Sequence, residues 1–545
     1  MLALAAAAFA ALSGGVASSI LTLRDPFRPA IAGAALAAVA WALARRGERA
    51  GLFRPYIGAP GARASRIALL ATAAVLVFSI AWSSRAAGGS DSSCYVLQAE
   101  AFAHGHATLA SPLAAMLPDA PNAVFAPSGF VPSPALGRAV PICAPGLALA
   151  MAVAYVVHPS AVFLVVPLAA AALVWLTFVY GRRLDDDVTG ACAAVLLAAS
   201  PIFLYQAVQP MSDVPAAAAW MAALVAASPV SAGVWASAAI LIRPNLALLV
   251  LPLALLWRKG GSPVFLAAVV PGALVLLALN AARYGSPFAT GYGSTDALFA
   301  RAHVYANLIR YPRWLLATET PFVLLSIGAP WAIRRDPARA RLAAISLVAA
   351  ALLLATYLAY TVFDDWWYIR FLLPMLPLLL GSSIVVLRRA TAAFGRRTAA
   401  ATLVATVAAL GAWFVHVAIE RQVTDLQRLE ARFRLAAELA RGSLPADAVF
   451  LAVQESGALR FHAGRDTLAW DAVPPAALDA YVLKLRAAGR TPMFALEDDE
   501  DPRFRRRFAG QRNGALDWRP VAEIHAPVRV RFYDPLPSQT DPARR

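Results

Sequence analysis

The sequence predicts an α-helical polytopic membrane protein with a small C-terminal α/β domain, and three observations carry that prediction. Sixty per cent of the 545 residues are apolar, against roughly 45–50% in soluble globular chains. Runs of about 20 mostly apolar residues, the length a helix needs to cross roughly 30 Å of hydrocarbon, recur as far as Ile419. Arginine clusters separate these runs, and beyond Glu420 they give way to charged residues and short strand patterns.

The clearest apolar runs are Leu2 to Leu23, Pro29 to Ala44, Ile67 to Trp82, Ala161 to Tyr180, Val188 to Tyr205 and Val214 to Ala227. They continue with Pro263 to Ala282, Trp314 to Ile333, Leu342 to Thr361, Phe371 to Leu387 and Thr398 to Ile419. The first lacks the basic flank of a signal peptide and reads as a retained span. Short cytoplasmic loops concentrate Lys and Arg. Five clusters fit that rule: Arg45 to Arg66, Arg182 and Arg183, Arg258 and Lys259, Arg334 to Arg341, and Arg388 to Arg397. All five lie inside only if Ser231 to Trp257 crosses twice, so it divides at Arg243-Pro244, where proline disfavours helical geometry in the residue before it. The count is then about 13 spans, with the N-terminus inside and the C-terminus outside. The net charge of +16 mainly records this topology. No basic stripe interleaves with aromatics in a soluble domain, so nucleic acid is not the expected partner.

Residues 1–419 therefore form a transmembrane domain with an outer loop at 83–140, and residues 420–545 form a juxtamembrane helix and an outer α/β domain. The loop region carries two helical patterns, Tyr95 to His104 and Pro145 to Val157. Val423 to Leu439 sets Leu426, Leu429 and Phe433 on one helical face. Strand-like runs at Ala448 to Val453, Pro492 to Leu496 and Val528 to Tyr533 alternate with a helical Pro475 to Ala488.

Acidic residues are scarce among the spans, so those at a span's outer end are candidates for chemistry. Asp91 follows the third span in Gly-Ser-Asp91-Ser-Ser-Cys94-Tyr95-Val-Leu-Gln-Ala-Glu100, where it suits either a general base or a helix N-cap. Asp213 lies between the fifth and sixth spans, Arg243 at the inferred break, and Arg370 after Asp364-Asp365-Trp366-Trp367-Tyr368. Carboxylates and guanidinium groups thus gather at one face. An arginine's planar fork matches phosphate oxygens. The plainer readings are caps for the aspartates, mutual neutralisation of Asp213 and Arg243, and an interfacial Arg370 within an aromatic belt.

These segments, with Phe102-Ala-His104-Gly105, Pro141-Ile-Cys-Ala-Pro145-Gly146, Asn280-Ala-Ala-Arg283-Tyr284-Gly-Ser-Pro287 and Arg370-Phe-Leu-Leu-Pro374-Met-Leu-Pro377, occur in an order that resembles bacterial GT-C glycosyltransferases. The likeness is to the family 39 group of protein O-mannosyltransferases and aminoarabinose transferases. Gln454-Glu-Ser-Gly457-Ala-Leu-Arg460-Phe-His-Ala-Gly464 resembles the outer domain of a branch of that group. The resemblance implies a GT-C fold, with Asp91 as catalytic base in the first outer loop and inverting transfer on the periplasmic side of a bacterial inner membrane. It implies a polyprenyl-phosphate sugar donor. The expected acceptor is a lipid, a glycan or a protein, and membrane lipids are the remaining expected partners. Arg370, Arg243, Asp213, Tyr95 and Glu100 are the candidate substrate and phosphate ligands. The sequence departs from the family's pattern at Ser92, where a second carboxylate is common. It departs again at Trp366-Trp367-Tyr368, which replaces a glycine-rich segment, and at Phe371, which replaces a tyrosine.

Three weaker signals remain. His104 and His106 flank Gly105 and are candidate ligands for a divalent metal with Asp91 or Glu100, although such a pair is more often simply hydrogen-bonded. Cys94 and Cys143 bracket the first outer loop, a placement that permits a disulfide without establishing its geometry. The acidic run Glu497 to Asp501 reads most simply as a solvated loop, with a calcium site as the alternative. A transporter or flippase of lipid-linked glycans, and a non-catalytic membrane scaffold, are the competing functions. The transporter is disfavoured because no inverted repeat is visible and the charges gather at one face.

Overall fold

A computed structural model describes residues 61–257, 260–293 and 295–536 of the chain. The expected spans Leu2 to Leu23 and Pro29 to Ala44 lie outside the described residues. Among the described residues, six helices are long and apolar enough to cross a membrane, or eight if each of two bent pairs is one span. The six are Arg63–Ala81, Pro159–Leu184, Gly261–Tyr284, Pro337–Leu358, Trp366–Phe394 and Arg396–Glu420, and each coincides with an expected span. This is a multi-pass membrane protein.

The expectation of single straight helices is corrected at two spans. Asp187–Ala199 and Pro201–Ala207 meet at 65°, and Arg301–Glu319 and Pro321–Ala332 meet at 101°. Proline opens the second member of each pair, where it cannot continue the preceding hydrogen-bond ladder. Thr320 adds a positive φ of 60°. The two breaks touch each other, because the Ser200 hydroxyl donates to Glu319 Oε1 at 2.7 Å. The expected span over Val214 to Ala227 is the 12-residue helix Asp213–Leu224, about 18 Å long at 1.5 Å per residue. Ser231 to Trp257 does break at Arg243-Pro244, into the short apolar helices Pro229–Ile242 and Pro244–Ala254.

The polar region at the Asp91 end begins with the helix Gly89–Ala103, which starts six residues earlier than the expected Tyr95. Strands β1 (Phe130–Pro132) and β2 (Ala139–Pro141) form a small antiparallel ribbon. Arg283, only 1% exposed, pins this region from the end of the helix Gly261–Tyr284. Its Nη2 donates to the Ala107 carbonyl at 3.3 Å, and Gln98 Oε1 accepts from Nη1 and Nη2 at 2.9 and 3.0 Å in the amide orientation that satisfies both groups. The Ser133 hydroxyl donates to the Arg283 carbonyl and the Tyr284 hydroxyl to that of Pro141. A disulfide joins Cys94 to Cys143, so the helix and the segment after β2 are also tied covalently.

Beyond Gln422, which turns the chain with a positive φ, the expected amphipathic helix comes in pieces. Leu426–Leu429 is followed by Ala431–Gly442, with Phe433 buried. The strands β3 (Ala448–Leu451), β4 (Asp466–Leu468), β5 (Thr491–Glu497), β6 (Ala522–Ile524) and β7 (Val530–Tyr533) form one sheet in the order β4-β3-β5-β7-β6. β3 runs parallel to β4 and β5, and β5, β7 and β6 pair antiparallel. Phe450, Phe494 and Phe532 are fully buried in it. The acidic run is not a solvated loop: Glu497 and Glu500 are buried at 4% and 0% exposure. The reason is local, since Glu500 accepts from the backbone N–H groups of Gln454 and Glu497 at 3.2 and 3.1 Å, and Arg432 Nε lies 2.6 Å from Glu497 Oε1.

Candidate active site

Asp91 occupies the first turn of the helix Gly89–Ala103, where the positive end of the helix dipole favours a carboxylate. The N-cap position falls on Gly88, so the capping reading of Asp91 is corrected. A side chain at 88 has no room, because a Cβ there would stand 2.0 Å from the Phe433 ring. Asp213 likewise opens the helix Asp213–Leu224, with no side-chain cap at Ser212. Arg243 is the extended residue that ends Pro229–Ile242 ahead of Pro244, and Arg370 lies in the 3-10 turn Trp366–Met375.

These four side chains form two ion pairs around one ring. Arg370 Nη2 stands 3.0 Å from Asp91 Oδ2, and Arg243 Nη2 stands 2.8 Å from Asp213 Oδ1. Both guanidinium carbons lie against Phe371, at 5.3 and 5.2 Å from its centroid. Arg370 also lies 5.3 Å from the centre of Tyr368. Exposure distinguishes the carboxylates, since the Asp213 side chain is 0% exposed and that of Asp91 is 33% exposed. Asp213 therefore neutralises Arg243 inside the protein, whereas Asp91 faces an accessible space.

Ser212, which the sequence gave no reason to single out, links Tyr95 to the Arg243–Asp213 pair. Its Oγ accepts from the Tyr95 hydroxyl at 2.9 Å and from Arg243 Nε at 3.3 Å. Burial, reinforced by the charge of Asp91 and opposed by the Ser212 bond, pushes the Tyr95 phenol up to about 12. Tyr95 is thus a protonated donor at neutral pH.

Glu100 is not part of this cluster. It accepts from the Tyr155 hydroxyl at 3.1 Å, and burial raises its pKa against the opposing Tyr155 bond and the charges of His104 and Arg460. His104 Nδ1 lies 2.8 Å from the Glu100 carbonyl. Among the described residues no three His, Cys, Asp or Glu side chains converge as metal ligands, so His104 and His106 gain no third partner.

The Gln454–Gly464 stretch closes over the other side of the Asp91 helix. Gly457 packs so closely that a Cβ would lie 2.0 Å from Ser93 Oγ and 2.8 Å from the Ala87 carbonyl. Ser456 Oγ accepts from the Ser128 N–H at 2.9 Å and His462 Nε2 from the Ala87 N–H at 3.3 Å. Burial, then the charges of Arg434 and Arg441, push the His462 imidazole down to about 4. His462 is consequently a neutral acceptor.

No protein-family model and no curated protein sequence matches the chain. Solved structures do. The crystal structure of ArnT from Cupriavidus metallidurans bound to undecaprenyl phosphate aligns with a TM-score of 0.56 at 16% identity, covering 85% of this chain and 97% of that one. The apo form of the same protein gives 0.54 at 16% identity, covering 87% and 98%. The chain has the GT-C fold. Within the GT-C fold seen here, the Asp91 helix and the Arg370 turn lie 279 residues apart in sequence and meet at one face of the helical bundle. At that identity the likeness concerns architecture, and the chemistry rests on the residues themselves.

Proposed function

We propose that this protein is a membrane glycosyltransferase that moves a sugar from a polyprenyl-phosphate donor to an acceptor hydroxyl with inversion. The observation that carries the reading is the half-open Asp91–Arg370 pair beside the buried Arg243–Asp213 pair. Two arginines at the end of a bundle can receive a lipid phosphate, and one of them already holds a carboxylate that faces solvent. With the arginine clusters read as cytoplasmic, this end faces outward, and residues 420–545 are an outer domain that packs against the Asp91 helix.

In this scheme Asp91 Oδ1, which accepts no hydrogen bond among the described residues, takes the acceptor hydroxyl proton. The acceptor oxygen forms its bond to the anomeric carbon as the bond from that carbon to the phosphate oxygen breaks, and the electron pair leaves with the lipid phosphate. Arg370 turns its fork from Asp91 to the phosphate, with Arg243 as the second cation, so one side chain releases the base while stabilising the leaving group. Tyr95 and Ser212 keep Arg243 in place. Ser92 stands beside Asp91 where a second carboxylate would be needed to complete a metal-ligand set, and no step of the scheme passes through a metal.

The test is transfer by the purified full chain in lipid, using radiolabelled polyprenyl-phosphate sugars and a panel of lipid, glycan and peptide acceptors. Wild type is expected to transfer label, and Asp91→Asn to lose transfer while still binding polyprenyl phosphate. Absence of transfer from every donor, or full activity of Asp91→Asn, overturns the proposal.

A further inference from the structure

Arg421 ends the last long helix, Arg396–Glu420, at the same end of the bundle as Asp91. The Gln427 amide, six residues on, donates to the carbonyls of Ala81 and Ser83, just ahead of the Asp91 helix. Among the described residues nothing accepts a hydrogen bond from the Arg421 guanidinium or forms an ion pair with it, and its Nε is buried without a partner. An unmatched buried donor is unfavourable, so an anion that reaches Arg421 gains a partner that the described residues do not supply. The guanidinium lies 5.3 Å from the ring centre of Trp366, which orients it.

An apolar groove of about 240 Å³ between the helices Ala62–Ala81, Asp187–Ala199, Pro201–Ala207 and Arg396–Glu420 reaches residues two positions from Arg421 on either side. Phe78, Leu204, Val415, Ile419 and Val423 line it, and the last two flank Arg421 in sequence. A cation at the top of an apolar groove on the membrane-facing side is complementary to a phosphate headgroup with its hydrocarbon chain below. We infer that Arg421 and this groove form a binding site for an anionic phospholipid of the surrounding bilayer, separate from the sugar donor.

The separation follows from what stands between the cations. Trp366 meets Tyr205 at 5.2 Å, Tyr205 stacks on Trp367 at 6.1 Å, and Trp367 meets Tyr368 at 6.3 Å. Only beyond Tyr368 comes Arg370. Arg421 and Arg370 thus lie against different rings, Trp366 for the first and Tyr368 with Phe371 for the second, and the two lipid arms of the experiment read whether their sites fill separately. The inference does not depend on catalysis by Asp91.

The experiment is native mass spectrometry of the full chain released from nanodiscs of phosphatidylglycerol and phosphatidylcholine, with undecaprenyl phosphate added in a parallel arm. Arg421→Gln is expected to lower retained phosphatidylglycerol by about tenfold or more, from loss of charge-assisted hydrogen bonds, and to leave undecaprenyl phosphate binding unchanged. The retained second lipid shows that the variant is folded. Ile419→Trp, which fills the groove and keeps the cation, is expected to lower phosphatidylglycerol as well. Loss of undecaprenyl phosphate rather than phosphatidylglycerol assigns the groove to the donor and overturns the inference, as does unchanged retention of both.

Discussion

Arg370 Nη2 lies 3.0 Å from Asp91 Oδ2, and the aspartate is the more exposed partner, at 33% against 12% for the arginine side chain. The arginine is anchored between Tyr368 and Phe371, while the carboxylate keeps an open side. Under the proposed function, the anchored arginine holds the phosphate and the open carboxylate is the base.

Replacing Asp91 by Asn is therefore expected to reduce kcat by about 10²–10⁴, the usual contribution of a general base, with donor affinity preserved. Arg370→Gln removes a cation from the leaving phosphate and is expected to cost about 10²–10³ in kcat. Because the two act as one unit, the double variant should lose little more than the worse single variant. Steady-state kinetics with all three variants checks this, and strictly multiplicative losses would show that the residues work independently.

Gly457 is the point at which the C-terminal sheet region grips the Asp91 helix. A Cβ at this position meets Ser93 Oγ at 2.0 Å and Ser93 Cβ at 2.5 Å, so Gly457→Val must push the helix away, at about 1–3 kcal/mol of overpacking. The expected result is a fall in kcat with polyprenyl phosphate binding retained, because Asp91 moves relative to Arg370. Gly442→Ala, where a Cβ meets nothing within 4 Å, is the control. Equal activity of the two variants would separate this contact from the chemistry.

Glu500 carries a pH signature. Burial pushes its carboxyl up to about 7, against the opposing bonds from the Glu497 and Gln454 N–H groups. The folded chain then holds a proton that the unfolded chain releases near pH 4.5, so this contribution to stability is full below about 4.5 and is lost as pH rises through about 7. His462 has the opposite sign: its value of about 4 means stability that is full above about 6.5 and declines as pH falls. Glu500→Gln isolates the first term. The variant should gain on wild type as pH rises from 5 to 8, by a change on the order of 3 kcal/mol, read as the difference in thermal midpoints. A constant difference across that range would remove Glu500 as the titrating group.

The long spans were legible because each is a continuous apolar run, and a 3.6-residue period needs no partner to be recognised. The bends at Ser200 and Thr320 were not, since their cause is a contact between two spans, the Ser200–Glu319 hydrogen bond, added to a proline that alone permits either a kink or a helix start. Of the candidate ligands, Asp91, Tyr95, Asp213, Arg243 and Arg370 come together, and Glu100 falls away because it lies nine residues beyond Asp91 on a helix that carries it toward Tyr155. Ser212 was invisible, as an ordinary serine beside a more conspicuous aspartate. The acidic run at 497–501 misled because composition cannot show that a backbone N–H pair awaits Glu500. Strands β4 and β6, of three residues each, are too short for alternation to register.

The Cys94–Cys143 disulfide closes a loop spanning 49 positions, and Cys94 lies three residues after Asp91 on the same helix. Loop-closure entropy for that length amounts to about 4 kcal/mol in the chain-entropy account. That figure is a ceiling, because Arg283, Gln98 and Tyr284 already hold the same region to the membrane helices. Replacing both cysteines by alanine is thus expected to lower the thermal midpoint and to speed proteolysis within residues 104–142, with a smaller loss of transfer than Asp91→Asn. Reductant should reproduce the effect in wild type and leave the double variant unchanged, since Cys192 is the one cysteine outside the bond. Non-reducing mass spectrometry that finds both thiols free, with the midpoint insensitive to reductant, would refute the covalent tie and leave Arg283 as the element that fixes the Asp91 helix.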